Sequence, residues 1–384
     1  MKKIVIAADS FKGSISSSEF ADVCAGVVAD MLPACEVVKV PLGDGGEGTV
    51  DALTEALGGA IVQCEVSGPL GGPVVARYGI SGDGLTAVME MSQASGLPLV
   101  ALADRNPMKT STFGTGEMIA DALSRGCRKI VMGIGGSATN DGGLGMLRAL
   151  GYRFFDREGR ELDGRLAGAD LIRISDIDSS EVNPALAGAE ILVACDVDNP
   201  FCGEHGAAYV FASQKGADRE MIKALDDGMR HYAAVVRRAT GLDVRSMPGA
   251  GAAGGLGGAL AAFLGGKLMP GIEMVLETVG FDSLIEGADL IVTGEGRIDS
   301  QTVHGKTPYG VLQAAKRRQI PVIALGGSVV HSPVLDDAGF AAVFSIQQSP
   351  LPLEEALKTE VTCRNLASTF RQVLQLCLLN KALL

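Results

Sequence analysis

Tryptophan is absent from this sequence, aromatic residues make up only 4% of it, and histidine occurs four times in 384 residues. A core built from such material has to be aliphatic, made of Val, Ile, Leu, Ala and Met. No CxxC pair occurs among the eight cysteines, and the four histidines lack metal-ligand spacing. That excludes a zinc site and a disulfide framework. Singly buried, reduced thiols are expected, which points to a cytoplasmic protein. The N-terminal MKKIVIAADS has too short an apolar run for a signal peptide. Basic charge is also short: 33 Lys and Arg face 45 Asp and Glu, a net charge of −12. Nucleic acid and anionic membranes are therefore not expected partners. A small anionic substrate is compatible, because a few cations in a cleft outweigh distant charge screened by salt. Residues 246–266 carry no charge, but eight of them are glycine. Leu256, Leu260, Phe263 and Leu264 fall on one helical face, so this stretch reads as a glycine-rich loop and a soluble helix rather than a membrane span.

What is present is a β-loop-α rhythm at both ends of the chain. The apolar run Ile4–Ala8 ends in Asp9-Ser10 and reads as a buried parallel-type strand. Ser16-x-x-Glu19 is a capping box, flanked by Ile15 and Phe20 as a hydrophobic staple. A strand over 36–41 and a helix over 49–57 follow. Residues 60–100 hold short β-prone runs separated by Gly and Pro turns, an antiparallel excursion. The strand and helix alternation returns from Asp289, and a closing amphipathic helix carries Leu366, Phe370, Val373 and Leu374. Length alone argues for two domains. The pattern predicts an α/β protein with a Rossmann-like parallel-sheet domain that is discontinuous, residues 1–65 and 275–384. A second, mixed α/β domain, residues 66–274, is inserted, with a cleft between the two.

Strand after strand ends in glycine with an acid or hydroxyl: Asp9-Ser10, GDGGEG (43–48), GIGGSATND (133–141), CDVDN (195–199), TGEGRID (293–299) and LGGS (325–328). Open parallel sheets bind ligands at these carboxyl ends. Any one such turn is often only structural, but six together imply a shared crevice. Glycine lets backbone N–H groups approach phosphate oxygens. Carboxylates among the cations Lys12, Lys215, Arg297 and Lys306 suit Mg²⁺ with phosphate, the parts that phosphoryl transfer requires. A Walker A loop is not formed, since residue 300 is Ser. A GxSxG nucleophile elbow is absent. A dinucleotide pattern GxGxx[GA] does occur at 133–138, which keeps an NAD(P)-dependent dehydrogenase of a small hydroxy acid as the alternative.

In order along the chain, DSFKGS (9–14), DGGEGTVDAL (44–53), PMKTSTFGTGE (107–117), GIGGSATNDGG (133–143), CDVDNPFCGEHGAAYVF (195–211), QKGA (214–217), PGAGAAGGLG (248–257) and TGEGRIDSQTVHGKTP (293–308) resemble the bacterial type I glycerate kinase family, the glycerate 2-kinases. Ala8 stands where the family usually has Pro, and Leu42-Gly43 where it has Met-Ala; neither change removes a reactive group. The resemblance implies ATP- and Mg²⁺-dependent phosphorylation of D-glycerate at the 2-hydroxyl, giving 2-phosphoglycerate and ADP. The chain is expected to act as a monomer or homodimer.

Residue chemistry then suggests roles. Gly135, Gly136 and Ser137 would offer N–H groups to the nucleotide phosphates. Thr139, Asn140 and Asp141 would orient phosphate or metal, and Lys215 would supply a cation there. Asp196 is the leading candidate to accept the hydroxyl proton and Asp9 the second, with Lys12 the catalytic cation. Ser10, Arg297 and Lys306 would hold glycerate, a fork such as Arg suiting its carboxylate. Asp44, Glu47 and Glu295 would hold Mg²⁺.

Overall fold

The computed structural model describes residues 1–46 and 48–382, with side chains through residue 379. In chain order the strands are β1 (Lys3–Ala8), β2 (Glu36–Pro41), β3 (Ala60–Ser67), β4 (Pro73–Ile80), β5 (Thr86–Glu90), β6 (Lys129–Gly133), β7 (Arg153–Phe155), β8 (Asp176–Asp178), β9 (Glu190–Ala194), β10 (Lys267–Met269), β11 (Leu290–Ile298), β12 (Val322–Val329) and β13 (Ala342–Ser345). They divide between two compact units. The first is Met1–Leu57 with Ile272–Leu384, and the second is Gly58–Gly271. The chain leaves the first unit at Leu57 rather than at residue 65, because all of β3 pairs with β4 inside the second unit.

In the first unit five strands run in the order β13-β12-β11-β1-β2, every pair parallel. Alternate residues of β1 are buried on opposite faces, as in a sheet covered on both sides. Ile4 and Ile6 pack with Phe20, Val27 and Val28 of the helix Ser17–Met31, and with Leu366, Phe370 and Leu374 of the closing helix Thr359–Ala382. The helix Thr307–Lys316 packs on β11, β1 and β12. The capping box forms as the sequence implies: Glu19 N–H donates to Ser16 Oγ at 3.1 Å, and Ser16 N–H to Glu19 Oε2 at 2.8 Å. Scarce aromatic residues are not peripheral. Phe20, Phe281 and Phe370 are among the largest fully buried side chains here.

Two of the expected turns are strand instead. Glu295 to Ile298 continue β11, and Gly326 to Val329 continue β12, with Arg297 opposite Ser328. The glycines are there for closeness. A Cβ on Gly327 would stand 2.5 Å from the Gly296 carbonyl oxygen.

The second unit holds a mixed sheet, order β10-β9-β6-β5-β4-β3. In it β4 runs antiparallel to both of its neighbours, β3 and β5, and β5, β6, β9 and β10 run parallel. The small sheet β7-β8 and strand β10 have no counterpart in the sequence reading; each is three residues long, too short for a periodic signal. Just after its first residue the helix Ala252–Leu264 is kinked by three residues in the left-handed region, Ala253, Gly254 and Gly255, and is regular from Leu256. All eight cysteines are unpaired, but only Cys24 and Cys127 are fully buried. Among the described residues no helix is long and apolar enough to cross a membrane.

Phe20 fills the core between β1 and the closing helix. Phe20→Ala is expected to cost about 3–5 kcal/mol of the first unit's stability, read by urea unfolding. A loss below about 1 kcal/mol would show that the neighbours collapse into the space.

Candidate active site

The sheet order of the first unit places a switch point between β1 and β11. From β1 the chain moves outward to β2, whereas from β11 it moves the other way to β12 and β13. In such sheets ligands bind outside the carboxyl ends at this reversal. A cavity of about 740 Å³ lies there, lined by residues at or beyond the ends of all five strands. Seven sequence-predicted residues share it: Asp9, Ser10, Lys12, Asp44, Glu295, Arg297 and Lys306.

Asp9 follows β1 directly, and its N–H donates to the Gly294 carbonyl at 2.9 Å. Only 6% of the residue is exposed. Ser10 N–H donates to its Oδ1 at 2.7 Å, and Thr307 Oγ1 lies 3.4 Å from its Oδ2. Burial, reinforced by the Asp44 carboxylate, raises the Asp9 pKa to about 6, while Ser10 and Lys12 oppose the rise. Glu295 is also buried. It accepts a 2.5 Å hydrogen bond from Thr302 Oγ1, and its Oε2 is 3.6 Å from Lys306 Nζ. Burial pushes its carboxyl upward, and Thr302 and Lys306 pull it back. Around these two sit looser pairs. Lys12 Nζ is 4.0 Å from Asp44 Oδ2, and the largely exposed Arg297 is 3.0 Å from Asp299 Oδ2 through Nε. The Arg297 fork also has further N–H donors to offer an anion. Thr302 and Thr307 were not anticipated. Their only sequence signal is that hydroxyls surround the HGK run.

The donor set accommodates Mg²⁺ only in part. Asp44 and Glu295 supply the hard oxygens that Mg²⁺ prefers, and one or two carboxylates suffice when phosphates and water complete the shell. Yet both already face a lysine, and no group of three metal-capable side chains exists among the described residues. A resident metal cage is therefore not formed by these residues; an ion arriving with a nucleotide fits. Glu47 lies outside the described residues.

In the second unit, β6 runs into the loop that the sequence marks. Gly135 and Gly136 are exposed at its tip, and Gly136 has φ +71°. Behind them, Ser137, Thr139 and Asn140 are buried. Lys215 is fully buried beside them, its Nζ donating to Ser137 Oγ at 2.7 Å and to the Thr139 carbonyl at 2.6 Å. Burial lowers its pKa to about 7, against the pull of Asp141. Thr139 Oγ1 and Asn140 Oδ1 are buried with no hydrogen-bond partner among the described residues.

Two of the expected site residues make hydrogen bonds within the second unit. Asp141 is turned inward: its oxygens accept from Thr112 N–H at 2.7 Å, Thr112 Oγ1 at 2.8 Å, Gly143 N–H at 3.1 Å and Gly145 N–H at 3.2 Å. These four bonds tie the loop to the helices Phe113–Ser124 and Leu144–Ala149. They occupy the carboxylate, so Asp141 shapes the loop rather than facing phosphate or metal. Because the helix starts only at Leu144, the loop also departs from a dinucleotide fingerprint, in which the helix opens on the glycines. Asp196 is exposed, two residues beyond β9, and its Oδ1 accepts the Gly271 N–H at 2.8 Å at the start of the helix Gly271–Thr278.

A doubly covered parallel sheet with buried carboxylates and cations at its switch point defines an α/β enzyme for a small, charged ligand. Comparison with known proteins narrows this: residues 4–378 match the Glycerate kinase family, and the chain belongs to it. It is 49% identical over 375 residues to a protein of Bacillus cereus named glycerate kinase, covering 96% of this chain and 98% of the relative. It is 47% identical over 373 residues to the glycerate 2-kinase of Escherichia coli strain K12, covering 96% and 97%. A crystal structure of a Salmonella typhimurium LT2 protein assigned as glycerate kinase 2 superimposes with a TM-score of 0.86 at 46% identity, covering 97% of this chain and 99% of that one.

Asp9 links this site to stability. Its folded pKa of about 6 lies above the ordinary 3.8, so the protonated form is favoured in the fold. That stabilisation is complete below about pH 4 and is lost as pH rises through 6. Ionised Asp9 then costs about 3 kcal/mol. Asp9→Asn is expected to raise the unfolding midpoint of the ligand-free protein at pH 8 and to leave it nearly unchanged at pH 4. Equal effects at both pH values would remove Asp9 as the titrating group.

Proposed function

We propose that this chain is an ATP-dependent kinase that phosphorylates D-glycerate at the 2-hydroxyl, yielding 2-phosphoglycerate and ADP. The observation that carries the mechanism is Asp9, a buried carboxyl with a pKa of about 6, in a cavity with three cationic side chains. A base poised near neutral pH is ionised in the cell yet still takes a proton readily. In this reading Asp9 accepts the proton of the 2-hydroxyl as that oxygen forms a bond to the γ-phosphorus. The bond from the γ-phosphorus to the β,γ-bridging oxygen breaks, and ADP leaves. Ser10 hydrogen-bonds a glycerate hydroxyl. Arg297 and Lys306 hold the glycerate carboxylate, and Lys12 faces the charge that develops on the transferring group. The N–H groups of Gly135, Gly136 and Ser137, backed by Thr139, Asn140 and the buried Lys215, are a phosphate contact of the nucleotide. Mg²⁺, held by Asp44 and Glu295 and brought by ATP, would neutralise charge on the β- and γ-phosphates.

Purified protein with MgATP and D-glycerate should release ADP only when glycerate is present, and phosphorus NMR should identify 2-phosphoglycerate. A 3-phosphoglycerate product would keep the kinase and overturn the position of attack. A dehydrogenase would instead turn over NAD(P) with a hydroxy acid.

The base is tested by pH. The value of kcat/KM should rise through about pH 6. Asp9→Asn is expected to lower kcat by about 10²–10⁴-fold and to remove that limb. If Asp196→Asn has this effect and Asp9→Asn does not, the proton acceptor is Asp196. Arg297→Ala should raise the KM for D-glycerate more than tenfold.

A further inference from the structure

The cavity of the first unit has more room and more apolar lining than a three-carbon acid uses. Its volume, about 740 Å³, falls in the range of roughly 300–1,000 Å³ found for much larger ligands. Besides the charged residues described above, its lining includes an apolar wall of Ile346, Pro350, Leu351, Leu353, Ala356 and Leu357, from the segment that follows β13. Leu351, Leu353 and Leu357 are 41%, 73% and 37% exposed. Every carbon of glycerate bears oxygen, so leucines offer it nothing. Within this wall stands Gln347, which also lines the cavity; its Oε1 is shut away from solvent with no hydrogen-bond partner among the described residues, and a turn of the carboxamide toward the cavity brings it one from a ligand. A buried carboxamide oxygen left unpaired is costly, and such groups are uncommon unless a ligand completes them.

A flat heterocycle with apolar faces and a polar edge satisfies both features. The purine of ATP is such a group, and a glutamine carboxamide pairs with the 6-amino group and N7 of adenine. The same cavity holds Lys12, placed above against the transferring phosphoryl group, which suits the phosphates attached to that base. We infer that the segment 346–357 is the adenine subsite of the phosphoryl donor, with Gln347 reading the 6-amino edge. The inference rests on the kinase reading for the identity of the nucleotide and extends it by naming the surface and the residue that select the base. The phosphate role proposed for the loop at Gly135–Ser137 is a separate assignment.

The test uses the full-length chain and two variants, Gln347→Leu and Leu353→Asp. Leu353 is mostly exposed, so its substitution leaves the fold intact even if Gln347→Leu does not; thermal unfolding checks both. ATP binding is measured by calorimetry without glycerate. Turnover is measured with ATP and with ITP, which carries a 6-oxo group in place of the 6-amino group. The parent is expected to prefer ATP. Gln347→Leu should weaken ATP binding by about tenfold and narrow the preference over ITP. Leu353→Asp should weaken both nucleotides, and the KM for D-glycerate should change by less than about twofold in either variant. Unchanged ATP affinity in both folded variants would overturn the adenine subsite, as would a rise confined to the KM for D-glycerate. Variant-sensitive ATP binding in a parent that does not phosphorylate glycerate would support the subsite and overturn the kinase reading instead, so the two failures are distinguishable.

Discussion

The parallel pairing of β1 with β11 is the constraint on which the first unit's site depends. It sets Ile4 opposite Leu290, and just past the end of β1 the Asp9 N–H reaches the Gly294 carbonyl. That contact brings Asp9 and Glu295, from opposite ends of the chain, to the two sides of the sheet's switch point. The cost of closing so long a loop rises only slowly with its length, and the intervening residues form a compact unit of their own. An insertion of this size is therefore tolerable, while the strand pairing itself is not dispensable.

Packing two buried carboxylates near that point is unfavourable for folding, and the structure only partly offsets it. Glu295 receives a hydroxyl and a lysine. Asp9 receives a backbone N–H but also the repulsion of Asp44, and its pKa stays high. A fully compensated carboxylate would be a poor base, because strong partners hold its charge in place. Under the proposed mechanism this incomplete compensation is what would suit Asp9 to proton transfer, consistent with strain and perturbed titration gathering at functional sites.

The second unit solves a different problem. A loop that exposes bare backbone at Gly135 and Gly136 must be held from behind. Asp141 with four hydrogen bonds, and the buried Lys215 with two, do this. An uncompensated ammonium in the interior is costly, and its lowered pKa is the expected response to burial. What this loop exposes is glycine backbone; the polar side chains that look most like ligands in the sequence, Ser137, Thr139, Asn140 and Asp141, are buried behind it.

Local chemistry was legible from the residues alone. The Ser16–Glu19 capping box, the strand periods of β1 and β2, the antiparallel run of β3 to β5 and the closing helix all follow from patterns within a few residues, because propensity, capping and alternation act over that range. Glycine-rich strand ends marked where ligand chemistry gathers, and the string of motifs was specific enough to point to the family. Three-dimensional neighbours decided the rest. That GEGRI and GGSV are strand rather than turn depends on the pairing of β11 with β12. That Asp141 points inward depends on Thr112, which belongs to another segment. Gln347 became visible only because β13 lies at the sheet edge and carries the following segment over the cavity. A sequence determines which groups are available and how each short segment prefers to fold; burial, pKa and orientation are properties of what surrounds a group, and that exists only once distant segments have packed.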